Sequence, residues 1–147
     1  MRGSAPCPCS SGRPYSSCCR PLHAGGAAPG VEALMRSRYA AFALGEVDYL
    51  VATTHPAHPD AAAPRVEVVA NLRRVTSAFK YPGLVVLEAR ERGAEGQVLF
   101  HARVFQKGKD ASFTELSDFA RDGGAWRYKG GRLVEGAWQG LTIAGVG

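Results

Sequence analysis

The stretch "LVVLEARERGAEGQVLFHARVFQ" (residues 84–106) decides the fold class, because its apolar residues alternate with a period of two. The two alternating runs flank "GAEG" (93–96), which predicts a β-hairpin in which His101 faces solvent. Downstream, "ASFTELSDFAR" (111–121) and "AWRYKGG" (125–131) are further alternating segments joined by short glycine-bearing turns. We therefore predict an antiparallel meander in the second half of the chain.

Upstream of the hairpin, the apolar residues recur at helical spacing. The segment "VEALMRSRYAAFALG" (31–45) predicts a helix that stops at Gly45, and "EVDYLVATTHP" (46–56) predicts a second, shorter helix. A third helix is expected to begin near Pro64. Its predicted buried stripe consists of Val68, Val69, Leu72, Val75 and Phe79. Helices followed by strands predict an α+β fold with the helices packed on one face of the sheet.

The segment "HAGGAAPG" (23–30) divides the chain into two parts. Its Gly, Ala and Pro content predicts a linker over residues 25–30 that transmits little structure. The predicted domains are therefore a small N-terminal unit, residues 1–24, and an α+β domain, residues 31–147.

Composition sets limits on function. Hydrophobic residues make up 46% and charged residues 21% of the 147 residues, which is typical of a globular chain with its own core. No apolar run is long enough to span a bilayer, and the start of the chain has no signal-peptide core, so we expect a cytoplasmic protein. The net charge of +5 is compatible with nucleic acid as a partner, but Lys and Arg are scattered, which does not favour it.

The 4 cysteines of the chain all fall within "CPCSSGRPYSSCC" (7–19). They are Cys7, Cys9, Cys18 and Cys19. Two short clusters across a tight loop suit a structural zinc ion, whereas disulfides would need an oxidising compartment and one pairing would close strained rings. We predict one structural Zn²⁺ per chain, with disulfides and free thiols as alternatives. His23 is an alternative ligand, although four thiolates already complete a tetrahedron.

The cysteine spacing, C-x-C, eight residues, then C-C, resembles the SEC-C motif, the zinc knuckle of the preprotein translocase ATPase SecA. This resemblance assigns the four cysteines as the ligand set. Ser10 stands where the motif usually has glycine. If that position requires a positive φ, serine costs about 1 kcal/mol there.

Longer segments resemble the bacterial YchJ family. They are "CPCSSGRPYSSCCRPLHAG" (7–25), "ALMRSRYAAFALGEVDYLVATTHP" (33–56) and "ELSDFARDGGAWRYKGG" (115–131). The family joins a SEC-C knuckle to a nuclear transport factor 2-like (NTF2-like) cone, a curved antiparallel sheet wrapped around helices that leaves a pocket. Tyr81 and Pro82 stand where family members usually carry a Trp, so a pocket wall or a core contact is expected to differ. The resemblance implies a fold and a zinc knuckle, and it implies no reaction.

Two charged residues fall on apolar faces. Arg38 lies within the stripe of the first helix, and Glu115 lies between Phe113 and Phe119 on one face of a strand. Such charges either form a structural ion pair, or, for arginine, reach solvent along the long side chain, or belong to a polar pocket that binds a ligand or performs acid–base chemistry. The pocket candidates are Arg38, Tyr39, His55, Glu115 and Ser117.

The knuckle is basic, since no acidic residue precedes Glu32. Its candidate docking residues are Arg2, Arg13, Tyr15 and Arg20. A basic patch with an aromatic ring suits an acidic protein or the ribosome surface, and the translocase knuckle it resembles contacts such partners. The sequence therefore favours a zinc-binding adaptor over an enzyme, with a ligand-binding or catalytic pocket in the cone as the alternative.

Overall fold

The computed structural model describes residues 3–147, in which helices precede an antiparallel sheet. Arg2, one of the predicted docking residues, lies outside the described residues. The helices are α1 (Arg20–His23), α2 (Val31–Leu44), α3 (Val47–Ala52), α4 (Pro59–Ala62), α5 (Arg65–Ala78) and α6 (Ile143–Val146). The strands are β1 (Lys80–Arg92), β2 (Glu95–Gln106), β3 (Lys109–Asp110), β4 (Phe113–Asp122) and β5 (Ala125–Val134). None of the helices in this part of the chain is long and apolar enough to cross a bilayer.

The sheet is an antiparallel meander in the order β1-β2-β4-β5, with the short β3 paired to β2. This confirms the predicted α+β class. An extra residue interrupts the register in β1, between Val86 and Glu88, and in β5, between Tyr128 and Gly130. Bulges of this kind bend a strand and increase its twist, which gives the sheet its curvature.

Helix α2 fills the concave face of the sheet. Its buried residues Leu34 and Tyr39 share a core with Val98 and Phe119 of the strands. The helix ends as predicted at Gly45, whose φ of 74° is the left-handed conformation that glycine adopts without strain. At its other end, the Glu91 carboxylate of β1 accepts a hydrogen bond from the Val31 N–H, a favourable place for a negative charge.

Helix α5 begins after Pro64 as expected, but its predicted buried stripe is only half-buried. The prediction of a fully buried stripe was wrong, because the sheet does not cover the whole of this helix face. Two stripe residues, Val75 and Phe79, instead line one side of a cavity.

The convex face of the sheet is covered by the C-terminal segment. Leu99 and Leu116 pack with Ile143 of α6, and the Ile143 N–H donates to the Glu88 carboxylate at 2.8 Å. The ring of Trp138 stacks on that of His101 at a centroid distance of 4.3 Å. The prediction that His101 faces solvent was therefore wrong, because this segment returns over the strand.

Candidate functional site

The sulfur atoms of Cys7, Cys9, Cys18 and Cys19 all lie within 4.8 Å of one another. None of the four is in a disulfide, and the Sγ–Sγ distances are 3.5 Å between Cys9 and Cys18 and 3.9 Å between Cys18 and Cys19. The short 3₁₀ turn Tyr15–Ser17 brings the second pair back to the first. This arrangement can hold one metal ion with four sulfur ligands.

Polar groups support the sulfur cluster. The Ser11 hydroxyl lies 3.1 Å from the Cys18 Sγ, and the Arg13 guanidinium donates to the same sulfur at 3.7 Å. Hydrogen bonds, above all with the Cys19 thiol, lower the pKa of Cys9 to about 4, while burial raises the pKa of Cys7 to about 11. Hydrogen bonds to sulfur orient metal ligands and spread the charge of a thiolate.

His23 joins the knuckle, residues 3–24, to helix α2. Its Nε2 lies 2.8 Å from the Ser37 carbonyl oxygen and its Nδ1 lies 2.7 Å from the Tyr15 hydroxyl. Because a carbonyl can only accept, Nε2 donates. Both ring nitrogens of His23 form hydrogen bonds, so His23 is not an alternative metal ligand. Tyr15 is only 8% exposed, so its prediction as a docking residue was wrong: its ring packs between the knuckle and α2.

Direct contacts tie the knuckle to the cone. The Arg36 guanidinium of α2 donates to the Cys9 carbonyl at 2.8 Å, and Cys9 and Cys19 pack against Ala40. Ser10 has a φ of 67°, and its hydroxyl accepts a hydrogen bond from the Leu84 N–H at 3.0 Å. The expectation that the knuckle connects only through a weakly transmitting linker was therefore wrong, because buried contacts bypass the linker. Arg13 and Arg20 are exposed.

A cavity of about 310 Å³ lies between helices α2 and α5 and the concave face of the sheet. The helices contribute Met35, Tyr39, Phe42 and Val75 to its wall, and Phe79 follows the end of α5. The strands contribute Tyr81, Phe100, Ala102, Val104 and Phe113. The wall is thus mainly aromatic and aliphatic, and Tyr81 is the residue that replaces the Trp expected from the family resemblance. Pockets of this size and lining are typical of small-molecule sites.

Arg38, Tyr128 and Glu115 add polar groups to this cavity. Arg38 is 7% exposed, and its Nη1 donates to the Leu50 carbonyl at 3.0 Å and to the Thr53 hydroxyl at 2.7 Å. Its guanidinium also lies over the Tyr128 ring, with Cζ 4.6 Å from the ring centroid. Burial lowers the pKa of Arg38 to about 10, so the group is still a cation at neutral pH.

Tyr128 connects Arg38 to Glu115. Its hydroxyl donates to the Glu115 Oε2 at 3.1 Å, and the Ser117 hydroxyl donates to the same oxygen. Burial raises the pKa of Tyr128, so its hydroxyl stays protonated and remains a donor. In the described part of the chain, Arg38 and Glu115 form no direct ion pair, and they belong to one network through the tyrosine.

The remaining pocket candidates have different positions. Tyr39 lines the cavity and fixes its wall, because its hydroxyl accepts from the Gly83 N–H at 2.8 Å and donates to the Arg103 carbonyl at 2.9 Å. Ser117 is fully buried behind Glu115 and does not line the cavity. His55 does not line it either. Its Nδ1 accepts a hydrogen bond from the Ala57 N–H in the loop after α3.

Sequence reasoning missed Tyr128, the residue that links the two charges. The signal was present in "AWRYKGG", where alternation places Tyr128 on the same face as Trp126. Trp126 is buried in the main core with Tyr128 packed against it, so this face of β5 points inward.

A family model described as "YchJ, middle NTF2-like domain" matches residues 30–131. The chain is also 41% identical over 125 residues to the UPF0225 protein YchJ of Shigella dysenteriae serotype 1. The aligned region covers 83% of this chain and 79% of the relative. The chain belongs to the YchJ family. The resemblance inferred from the sequence is confirmed.

Two solved structures of SEC-C motif containing proteins are similar to this YchJ-family chain. A SEC-C motif containing protein from Rhodopseudomonas palustris has a TM-score of 0.77 at 37% identity and covers 89% of this chain and 100% of its own. A SEC-C motif containing protein from Psychrobacter arcticus has a TM-score of 0.74 at 25% identity and covers 99% of this chain and 93% of its own. These matches support the NTF2-like fold and a metal-binding role for the cysteine cluster.

Proposed function

We propose that this protein binds a small, largely apolar ligand in its NTF2-like cone, and that a zinc knuckle braces the helix that forms one wall of the site. The observation that carries the proposal is Arg38, a cation only 7% exposed that lines an otherwise mainly apolar cavity. A buried guanidinium is costly unless it is paired, and a guanidinium at a cavity wall is available to a ligand.

Zinc is the metal we propose for the cysteine cluster. Four sulfurs at about 2.3 Å from a tetrahedral Zn²⁺ lie about 3.8 Å apart. The Sγ atoms of Cys9, Cys18 and Cys19 already stand at 3.5 and 3.9 Å, and no pair of the four exceeds 4.8 Å. A site with four protein ligands is closed to substrate, so the zinc is structural. A cysteine cluster that binds a metal instead of forming disulfides is typical of a reducing compartment, so we propose that the protein works in the cytoplasm.

Arg13 and Arg20 favour a second candidate function. Both are exposed on the knuckle, where they suit an acidic protein or ribosomal partner, so the knuckle would act as an adaptor. We rank it second because Tyr15, the aromatic residue expected to anchor such a partner, is buried against α2.

Binding of a neutral fluorescent probe, N-phenyl-1-naphthylamine, tests the cavity proposal. We expect saturable binding of one probe per folded chain. Ala102→Leu adds volume inside the cavity and should weaken binding by about tenfold, or roughly 1.4 kcal/mol. Ala62→Leu makes the same change at an exposed position of α4 and should leave binding unchanged. Absence of saturable binding, or equal binding by the two variants, would contradict the proposal.

A further inference from the structure

We infer that the cavity is selective for an uncharged aromatic compound whose head group both donates and accepts a hydrogen bond, as a primary amide does. The inference rests on the proposed function and deepens it by naming the ligand class. It depends on three features of the cavity: its ring-lined wall, the free donors of Arg38 and the free acceptor of Glu115.

The wall of the cavity presents rings in fixed orientations. Tyr39 and Tyr81 meet edge to face, with centroids 5.8 Å apart and planes at 87°. Phe100 and Phe113 meet at 71° with centroids 6.2 Å apart. A flat ring can continue such packing with edge-to-face and offset contacts, which adds to the burial of apolar surface. The wall therefore favours an aromatic ligand body over a flexible chain.

Arg38 supplies the donors for the head group. A guanidinium carries five N–H groups. The two N–H groups of Nη1 donate to the Leu50 carbonyl and the Thr53 hydroxyl. Within residues 3–147, Nε and Nη2 hydrogen-bond to no protein acceptor. Because the side chain lines the cavity, an acceptor atom of the ligand can take these donors.

Glu115 supplies the acceptor. Its Oε2 accepts from both Tyr128 and Ser117, which fixes the orientation of the carboxylate. Its Oε1 hydrogen-bonds to no described residue, and Glu115 lines the same cavity as Arg38. A donor of the ligand can therefore bind Oε1 while an acceptor of the same head group binds Arg38.

The charges of the cavity decide against a charged head group. Arg38 contributes one positive charge and Glu115 one negative charge, and Tyr128 joins them. A ligand carboxylate would be attracted to Arg38 but repelled by Glu115. An ammonium group would be attracted to Glu115 but repelled by Arg38. Either would bring an unbalanced charge into a largely apolar site, where it is costly. A neutral head group satisfies both residues and leaves the charge balanced.

Four probes with one ring system test this inference: 2-naphthamide, 2-naphthoate, 2-naphthylmethylammonium and 2-ethylnaphthalene. We would measure their dissociation constants for the zinc-loaded protein by ligand-observed NMR. The amide should bind wild type at least about tenfold more tightly than either charged probe. Glu115→Gln should shift the preference toward 2-naphthoate, because the charge of Arg38 is then unbalanced. Glu135→Gln makes the same change at an exposed site and should keep the wild-type order.

Each outcome decides a different point. Tighter binding of 2-naphthoate or the ammonium probe to wild type overturns the inference, and so does an unchanged order in Glu115→Gln. If 2-ethylnaphthalene binds as well as the amide, the polar groups do not select the ligand and the inference fails alone. If no probe binds, the proposed function fails as well. Should Glu115→Gln not fold, the wild-type order by itself decides.

Discussion

The Ser10 hydroxyl of the knuckle accepts a hydrogen bond from the Leu84 N–H of β1, 3.0 Å away. The neighbouring Gly83 N–H donates to the Tyr39 hydroxyl in the cavity wall. The knuckle and the cavity therefore hold adjacent peptide groups of the same strand. This relationship explains why serine is compatible with a φ of 67°, since the hydrogen bond offsets the strain.

We predict that Ser10→Ala is less stable than Ser10→Gly. Alanine keeps the strained φ and loses the hydrogen bond, so we expect a loss of roughly 1–2 kcal/mol. Glycine also loses the bond but removes the strain, so its free energy of unfolding should stay close to wild type. Urea denaturation measures both, with Ser16→Ala, at an exposed position, as the control. A glycine variant less stable than the alanine variant would refute this explanation.

Metal removal should destabilise the whole protein. The knuckle packs on α2 through Cys9, Cys19 and Ala40, and Arg36 bonds the Cys9 carbonyl, so loss of the metal frees contacts of the main core helix. We expect a chelator, and Cys18→Ser, to lower the main thermal transition followed by circular dichroism. Ser17→Ala, next to Cys18 but exposed, is the control. An unchanged main transition after verified metal loss would show that the knuckle is energetically independent.

Gly131→Ala should displace Glu115. A Cβ at Gly131 would lie 2.5 Å from the Glu115 Oε2 and 2.8 Å from its Cδ, so the carboxylate must move and its bond from Tyr128 is disturbed. We expect a stability loss of roughly 1–3 kcal/mol. Gly83→Ala meets its nearest atoms at 3.6 Å and should cost less. Equal stability of Gly131→Ala and wild type would show that the carboxylate is not held at this position.

Arg38 and Glu115 should be energetically coupled. We predict a coupling energy of roughly 0.5–3 kcal/mol in a double-mutant cycle of Arg38→Met and Glu115→Gln. The reason is that Tyr128 contacts both residues, so the loss of either charge changes the interactions of the other. The control is the exposed pair Arg65 and Asp48, at 3.8 Å, with Arg65→Met and Asp48→Asn, for which we expect about 0–1 kcal/mol. Additive effects at Arg38 and Glu115 would contradict the network.

The two candidate functions predict different effects of knuckle charge. Arg20→Glu should leave stability within about 0.5 kcal/mol of wild type, since this side chain is exposed. If the cavity carries the function, binding of N-phenyl-1-naphthylamine should not change in this variant. A loss of probe binding without a loss of stability would connect the basic patch to ligand uptake and contradict our ranking.

Periodicity predicted the elements well, because the packing of α2 and of the hairpin follows directly from one apolar face each. It failed where contacts come from distant, aperiodic segments. Trp138 and Ile143 cover the convex face of the sheet, and no repeating pattern marks them as sheet-packing residues. Tyr15 was misplaced for a similar reason, because His23 and α2 bury it and neither contact is visible in the spacing of the knuckle.

The polar site was only partly predictable. Arg38 and Glu115 could be found because each is a charge on an apolar face, which is costly without a partner. Their linkage through Tyr128 depends on the register of β4 and β5, which pairs Glu115 with Leu133 and Phe119 with Tyr128 around a bulge. A bulge shifts every later side chain, so this register could not be derived from alternation alone.

A crystal structure of the zinc-loaded protein with 2-naphthamide is the most direct test of the central claim, that the cone cavity is a ligand site. Our account predicts the ring between Phe100 and Tyr39, with the amide oxygen near the Arg38 guanidinium and the amide nitrogen near the Glu115 Oε1. Density for the probe outside the cavity, or a cavity without it at saturating concentration, would contradict the account.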